Sequence, residues 1–498
     1  MTATDEPNGP ASLAAVARSG TRWTIVQFGG ARLVTFVVFL ILARLLTPVD
    51  FGLVAMALVF VELLQLLVEG GFAQALIQRP ELERGHLDTV FWTSLVTGIG
   101  LAGALAALAG PIARLYDQPM LTRILPVLGI GLVLAALGAT QTAQLRRELR
   151  FRPLGMRALV SNLVAGLIGV LVALRGGGVW ALVWQYLALN GMQSLLLWTS
   201  TGWRPGLEAS RRHFTDIFRF SRHTLGIQFL EFANRRSDDL LVGILLGPIA
   251  LGLYSVAYRL LSSLLDVLTS VLVGVGYPIF ARLQDDPARL RAGYVRVMRV
   301  GAALAFPSFL FLALAADEII SVVFGGQWLP ATRIMAVLTL AGAVQVLVAV
   351  TDSCLTAIGR PELVFRIRAL GTALQVAAFV AAAPFGILWV AVALVLRVYL
   401  LAPLPVWCLI KAGVIDLRGL LRGLVPPFLC TALTLAAVAG ARLGTLQVLG
   451  PGARLSVMAL TAATIFVGSL AVLDRALLRE LTSSLPVRHR RVRPEGID

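Results

Sequence analysis

Leu45-Leu46-Thr47-Pro48-Val49-Asp50-Phe51-Gly52-Leu53 ends one apolar run and opens the next. The same pattern returns as Leu245-Leu246-Gly247-Pro248-Ile249-Ala250-Leu251-Gly252-Leu253, again between two apolar runs. A proline resets the backbone at the start of a helix, so each copy reads as a tight link between two consecutive helices. Further matches follow in the same order. Thr122-Arg123-Ile124-Leu125-Pro126-Val127-Leu128 pairs with Thr332-Arg333-Ile334-Met335-Ala336-Val337-Leu338, and Glu148-Leu149-Arg150-Phe151-Arg152 with Glu362-Leu363-Val364-Phe365-Arg366. Gly178-Val179-Trp180 is echoed by Gly386-Ile387-Leu388-Trp389. Four ordered matches at offsets of roughly 200 to 214 mark an internal duplication.

Outward from these links, apolar stretches recur through all 498 residues, of which 58% are hydrophobic and 14% charged. A soluble domain carries roughly 25% charged residues, so this is a membrane composition. Each stretch is long enough to cross a hydrocarbon core of roughly 30 Å. Breaks at charge, Gly and Pro predict fourteen helices. Helices 1 to 7 cover 22–44, 52–74, 89–112, 122–144, 158–175, 180–199 and 222–246. Helices 8 to 14 cover 252–278, 298–322, 332–357, 365–383, 387–410, 423–441 and 454–474. The first run ends at Arg44-Leu45-Leu46-Thr47-Pro48 without a small-residue cleavage site and is expected to be retained as a helix.

The expected architecture is an all-α polytopic membrane protein. Six spans per half set the halves parallel, related by an axis along the membrane normal, as in transporters that bind substrate where the repeats meet. Residues 1–200 form the N-terminal six-helix lobe and 201–411 the C-terminal one. Residues 412–475 add two helices outside the repeat, and 476–498 form a basic tail.

Arginine placement gives the orientation. With the N-terminus cytoplasmic, the inside segments hold Arg146, Arg147, Arg150, Arg152, Arg157, Arg211, Arg212, Arg219, Arg222, Arg282, Arg289, Arg291 and Arg296. The tail adds Arg488, Arg490, Arg491 and Arg493, against Arg44, Arg114, Arg123, Arg175, Arg333, Arg442 and Arg454 outside. Over all loops the bias is roughly four to one, which places both termini in the cytoplasm. The same loops explain the net charge of +16 without nucleic acid as a partner.

Charged side chains inside apolar helices are costly and mark substrate or ion pathways. Predicted helix 7 holds Glu231, Arg235, Arg236, Asp238 and Asp239. At 100° per residue, Glu231, Arg235, Asp238 and Asp239 share an arc of about 100°, with Arg236 roughly 60° beyond it. Arg235 thus has i,i+4 partners in Glu231 and Asp239. Helix 8 aligns Ser255, Arg259, Ser262 and Asp266, and helix 2 aligns Glu62, Gln65 and Glu69. Helix 10 carries Gln345 and Asp352. No acidic residue shares the predicted helix of Arg32 or of Arg397, so these two are expected to meet an anion. Lining of a hydrated cavity competes with plain mutual neutralisation of Arg235, Asp238 and Asp239 between packed helices. Glu69 and Arg44, near helix ends, can snorkel. Lys411 is the only lysine; guanidinium groups in quantity suit a phosphate-bearing substrate, since they bind it bidentately.

Some chemistries are expected to be absent. There is no G-x-x-x-x-G-K-[ST] phosphate loop, and Cys354, Cys408 and Cys430 have no C-x-x-C spacing. His86, His213, His223 and His489 are widely dispersed in the sequence, so no metal site and no cofactor is expected. Outside loops of a few to about a dozen residues leave little room for a catalytic domain, and an enzyme is not expected.

Several stretches together resemble a known family. Arg44 to Ala57, Gly70-Gly71-Phe72, Ala75-Leu76-Ile77-Gln78-Arg79 and His86 to Trp92 are similar to the N-terminal signature of Wzx-type flippases and WzxC-like polysaccharide exporters. So are Leu145 to Arg152, Asn234 to Asp239, Leu251 to Arg259, Tyr277 to Arg282 and Phe324 to Ala331. These belong to the multidrug/oligosaccharidyl-lipid/polysaccharide superfamily. The resemblance implies a multi-pass protein of the bacterial inner membrane that moves a polyprenyl-diphosphate-linked oligosaccharide outward by alternating access. It implies lipid-linked oligosaccharide, membrane lipids and polysaccharide polymerase machinery as partners. Arg235, Arg236 and Arg259 fall on the family's helix 7–8 motif; Arg32 and Arg397 are expected in the cavity from their depth alone. Glu62, Glu231, Asp238, Asp239, Asp266 and Asp352 are the candidates for coupling to a proton or sodium gradient. A multidrug or organic-cation antiporter on the same fold, and a non-transporting scaffold for polysaccharide assembly, are the alternative readings.

Overall fold

The computed structural model describes residues 30–69, 76, 83–208 and 210–483, with no strand among them. Helix 1 from 22 to 29, the Gly70-Gly71-Phe72 motif, most of 75–79 and the arginine-rich tail lie outside the described residues. Fourteen long helices are present among the described residues. They are α1 (Ala31–Leu45), α2 (Pro48–Glu69), α3 (Arg84–Leu115), α4 (Leu121–Arg147), α5 (Phe151–Leu174) and α6 (Val179–Ser200). A 73-residue segment, Arg211–Leu283, is broken at Gly247 into α7 (211–246) and α8 (248–283). Then come α9 (Pro287–Leu314), α10 (Ala331–Ala357), α11 (Pro361–Ala382) and α12, which runs over Ile387–Leu401 and continues as Pro403–Lys411. The last are α13 (Leu417–Thr445), α14 (Pro451–Leu473) and a short α15 (Arg475–Ser483).

Among the described residues, eleven helical stretches are long and apolar enough to cross a membrane, and one of them, Arg235–Leu283, holds the end of α7 and all of α8. The ends follow local rules. Pro48, Pro287, Pro361 and Pro451 each open a helix, where a missing N–H costs nothing. Asp286 and Asp416 cap α9 and α13 by accepting backbone N–H groups. α4 and α10 end alike: at Leu149 (φ 55°) and Gly359 (φ 77°) the chain turns left-handed, and the next residue's N–H returns to Leu145 or Leu355. That equivalence fixes an offset of 210 residues, so the Glu148/Glu362 pairing read from the sequence sits about one helical turn out of register.

Packing divides the chain into two compact units. The first comprises the chain up to Ser255 with Phe379–Ile387; the second comprises Val256–Ala378 and the chain from Leu388 onward. In the first, α3 packs on α4, α5 on α6, α1 on α5, and α2 on α4. In the second, α9 packs on α10 and α13, and α13 on α14.

The duplicated motif becomes a physical contact inside the first unit. A Cβ on Gly52 would run into the Pro248 carbonyl, and a Cβ on Gly252 would run into the Pro48 carbonyl. The two copies therefore cross backbone to backbone, reciprocally, and only glycine allows the approach.

Candidate functional site

α2 and α7 bring their charges together within the first unit. Arg236 on α7 donates from Nε to Glu62 Oε2 at 2.8 Å and from Nη2 to Glu62 Oε1, a bidentate pair across the two helices. Its Nη1 donates to Asp239 Oδ2 at 2.5 Å, one turn along the same helix. Asp238, 3% exposed, takes a different partner: the Tyr254 hydroxyl donates to its Oδ2 at 3.0 Å. The Asp239 N–H donates to Asp238 Oδ1, also at 3.0 Å. One guanidinium thus serves two carboxylates, while the third rests on neutral donors.

Glycine and aromatic packing hold this network in place. α7 passes close to α2 and the end of α3 at Gly243, where a Cβ would meet the Tyr116 ring at 2.8 Å and Met56 at 3.3 Å. Tyr116 stacks edge-on against Phe60, and its buried hydroxyl has no hydrogen-bond partner among the described residues. Burial, and then the nearby Asp239 charge, push the Tyr116 phenol up from its ordinary value. The polar stripe of α2 continues past Glu62: Gln65 Nε2 donates to Glu69 Oε1 at 2.7 Å, and the Tyr186 hydroxyl on α6 reaches Gln65 at 3.5 Å.

The helical arc read from sequence therefore chooses the wrong arginine as the partner of Asp239. Arg236 makes that bond, while Arg235 and Glu231 are exposed and form no ion pair among the described residues. Arg32 on α1 is exposed as well.

In the second unit, Arg259 and Asp266 are both exposed on α8, and the Ser262 and Ser263 hydroxyls donate back to the Arg259 carbonyl. Asp352 on α10 is buried and held by Arg368 on α11, whose Nε and Nη2 donate at 3.2 and 3.1 Å. Arg397 on α12 is half-buried and lies over Gly371 of α11, where a Cβ would come within 3.2 Å of its Nη1. Tyr294 on α9 shares a 2.9 Å hydrogen bond with Thr351, beside Asp352.

Sequence reasoning missed Tyr254, Tyr116 and Arg368. Two further charged clusters also escaped it. Arg442 on α13 and Arg454 on α14 both reach the buried Glu318, and Arg442 also pairs with Asp317. Arg299 on α9 pairs with the buried Asp474. All of these join residues far apart in sequence. The dispersal of the histidines also needs correction: His86 is 4% exposed, and its ring centroid lies 4.1 Å from that of His213.

Fold and site together define an all-helical, multi-pass membrane protein whose apolar helices carry bonded charges at depth. Residues 41–333 match the family described as "Polysaccharide biosynthesis protein", and the chain belongs to that family. It is 27% identical over 350 residues to the teichuronic acid biosynthesis protein TuaB of Bacillus subtilis (strain 168), across 70% of this chain and 72% of TuaB. It is 26% identical over 372 residues to the lipopolysaccharide biosynthesis protein WzxC of Escherichia coli (strain K12), across 73% of this chain and 74% of WzxC. In fold it resembles the lipid II flippase MurJ in an inward closed conformation. The TM-score is 0.75 at 12% identity, covering 92% of this chain and 100% of the MurJ chain.

Proposed function

We propose that this protein is a transporter that carries a lipid-linked oligosaccharide outward across the bacterial inner membrane by alternating access. It serves surface-polysaccharide biosynthesis and is a carrier, not a catalyst, with both termini in the cytoplasm. Family membership supports the biosynthetic setting, and the fold, shared with a protein named as a lipid II flippase, suits such a substrate.

The observation that carries the reading is the contrast between neighbouring arginines on α7. Arg236 is bonded to Glu62 and Asp239, whereas Arg235 is exposed and makes no ion pair among the described residues. An arginine at depth without a carboxylate is expensive to retain unless it meets an anion. A diphosphate is such an anion, and the guanidinium fork matches its oxygens. Arg259, exposed on α8, is proposed as a further substrate-binding arginine. Coupling to a proton or sodium gradient is assigned to Asp238, the buried α7 carboxylate whose hydrogen bonds come from neutral donors. Polysaccharide polymerase machinery is proposed as the downstream partner.

The test restores the gene, intact or with Arg235→Ala and Arg259→Ala together, to a strain that lacks it. The deletion is expected to lose surface polymer and retain lipid-linked precursor. The double variant should stay in the membrane yet export about tenfold less or worse, because two charge-assisted contacts are gone. Normal polymer from the double variant removes the arginine role. Unchanged polymer in the deletion strain, with greater sensitivity to organic cations, replaces the reading with antiport.

A further inference from the structure

Glu83 and His86 stand one turn apart at the start of α3, and His213 approaches them from the start of α7, 127 residues downstream of His86. One ligand atom from each of the three lies within 4.8 Å of the others. His213 Nε2 is 3.4 Å from Glu83 Oε2, close to the edge of about 3.3 Å that a tetrahedral ion imposes on donors at about 2.0–2.1 Å. We propose that Glu83, His86 and His213 form a binding site for a divalent transition ion of the zinc class, which clamps the start of α7 to the start of α3.

His213 has more capacity than partners. Its Nε2 faces Glu83, while its Nδ1 is buried and has no hydrogen-bond partner among the described residues. The ion would take Nε2, which faces Glu83, and leave the ring proton on Nδ1. His86 Nδ1 accepts the Glu83 N–H at 3.3 Å, a long bond that coordination can replace. Two imidazoles and a carboxylate make a borderline-soft donor set, with a fourth position left for water.

The surroundings place His213 beside the start of α3. Asp88, 3% exposed, accepts the N–H groups of Gly206 and Glu208 at 3.1 and 3.4 Å and pins the segment that delivers His213. Gly85 leaves space for the imidazole, since a Cβ there would lie 2.6 Å from His213 Cε1. The clamp lies on the same helix as the Arg236 network, so bound metal would stiffen α7 from its first turn. None of this depends on what the protein transports.

The test uses tag-free, full-length protein in detergent, stripped with chelator and titrated with zinc or cobalt. The expected result is about one zinc per chain, a cobalt visible spectrum of tetrahedral type, and a rise in melting temperature on loading. Glu83→Gln keeps a capping acceptor and His213→Gln keeps the size of the side chain; each should weaken zinc about tenfold or more, as should Gly85→Ala by displacing the ring. A His223→Gln/His489→Gln double variant should bind as the parent does. Substoichiometric zinc on the parent chain overturns the proposal. So does parent-like zinc affinity in His213→Gln, or loss of binding only in the His223/His489 variant.

Discussion

The link Leu45–Leu53 and its copy Leu245–Leu253 reach the same close crossing by different backbone devices. In the first copy α1 stops at Leu45 and α2 starts at Pro48 under a cap made by side chains. Asp50 Oδ2 accepts the Thr47 N–H at 2.9 Å and its hydroxyl at 2.7 Å, while Thr47 Oγ1 receives the Asp50 N–H at 3.4 Å. The second copy has Gly247 and Ala250 at those positions, and no such cap can form. There the turn is made by Gly247 itself, at φ 79° and ψ −177°, a conformation essentially closed to other residues. The turns after α4 and α10 differ in the same sense, with Leu149 in the first half and Gly359 in the second. At these two turns the first half uses side chains and tolerated strain, and the second uses glycine. Equivalent geometry therefore does not require equivalent residues, and only the two positions that touch, Gly52 and Gly252, are glycine in both.

The largest effect is expected at that shared contact. Gly52→Ala or Gly252→Ala sets a methyl group against a proline carbonyl of the other copy, which cannot swing aside as a side chain can. Each should cost about 3 kcal/mol, the upper end of the overpacking range, read as a fall in melting temperature in detergent. Similar losses from both variants would confirm that the crossing is reciprocal. A large loss from one alone would break the comparison.

Next come the two turn devices. Gly247→Ala meets no steric obstacle, as nothing lies within 4 Å of its new methyl group, so its whole cost is backbone strain, about 2 kcal/mol. Thr47→Ala at the equivalent position removes a cap and should cost about 1 kcal/mol. Equal losses in the two variants would mean that the first copy also depends on backbone strain.

What the sequence disclosed follows from the range of each interaction. Helix number, the near-exact opening of α10 and the link motif are local or periodic properties, and they were legible. The motif also marked, unannounced, the place where the copies touch. The choice between Arg235 and Arg236 was not legible, because a helical wheel ranks angles within one helix and cannot locate Glu62 on α2. Asp352 with Arg368, and His86 with His213, were invisible for a related reason: each pair forms only when separate helices pack. The offset error at Glu148/Glu362 has another origin. Residue identity favoured one register, whereas the left-handed residue that ends each helix, leucine in one half and glycine in the other, fixes a register four residues away.

The smallest effect tests that last pair, and it carries opposite signs. Leu149 and Gly359 occupy the same position of the same motif: each donates its N–H three residues back, at 3.1 Å to Arg146 in one case and at 3.1 Å to Thr356 in the other. A leucine held left-handed gives up about 1–2 kcal/mol that glycine does not. Glycine returns part of that difference through the greater freedom of its unfolded chain. Leu149 is half exposed, so removing its side chain sacrifices little packing. Leu149→Gly should therefore raise stability by about 0.5–1 kcal/mol, and Gly359→Leu should lower it by about the same amount. If Leu149→Gly is destabilising instead, the leucine side chain contributes to the first half beyond the turn, and the two halves differ in packing as well as in backbone device.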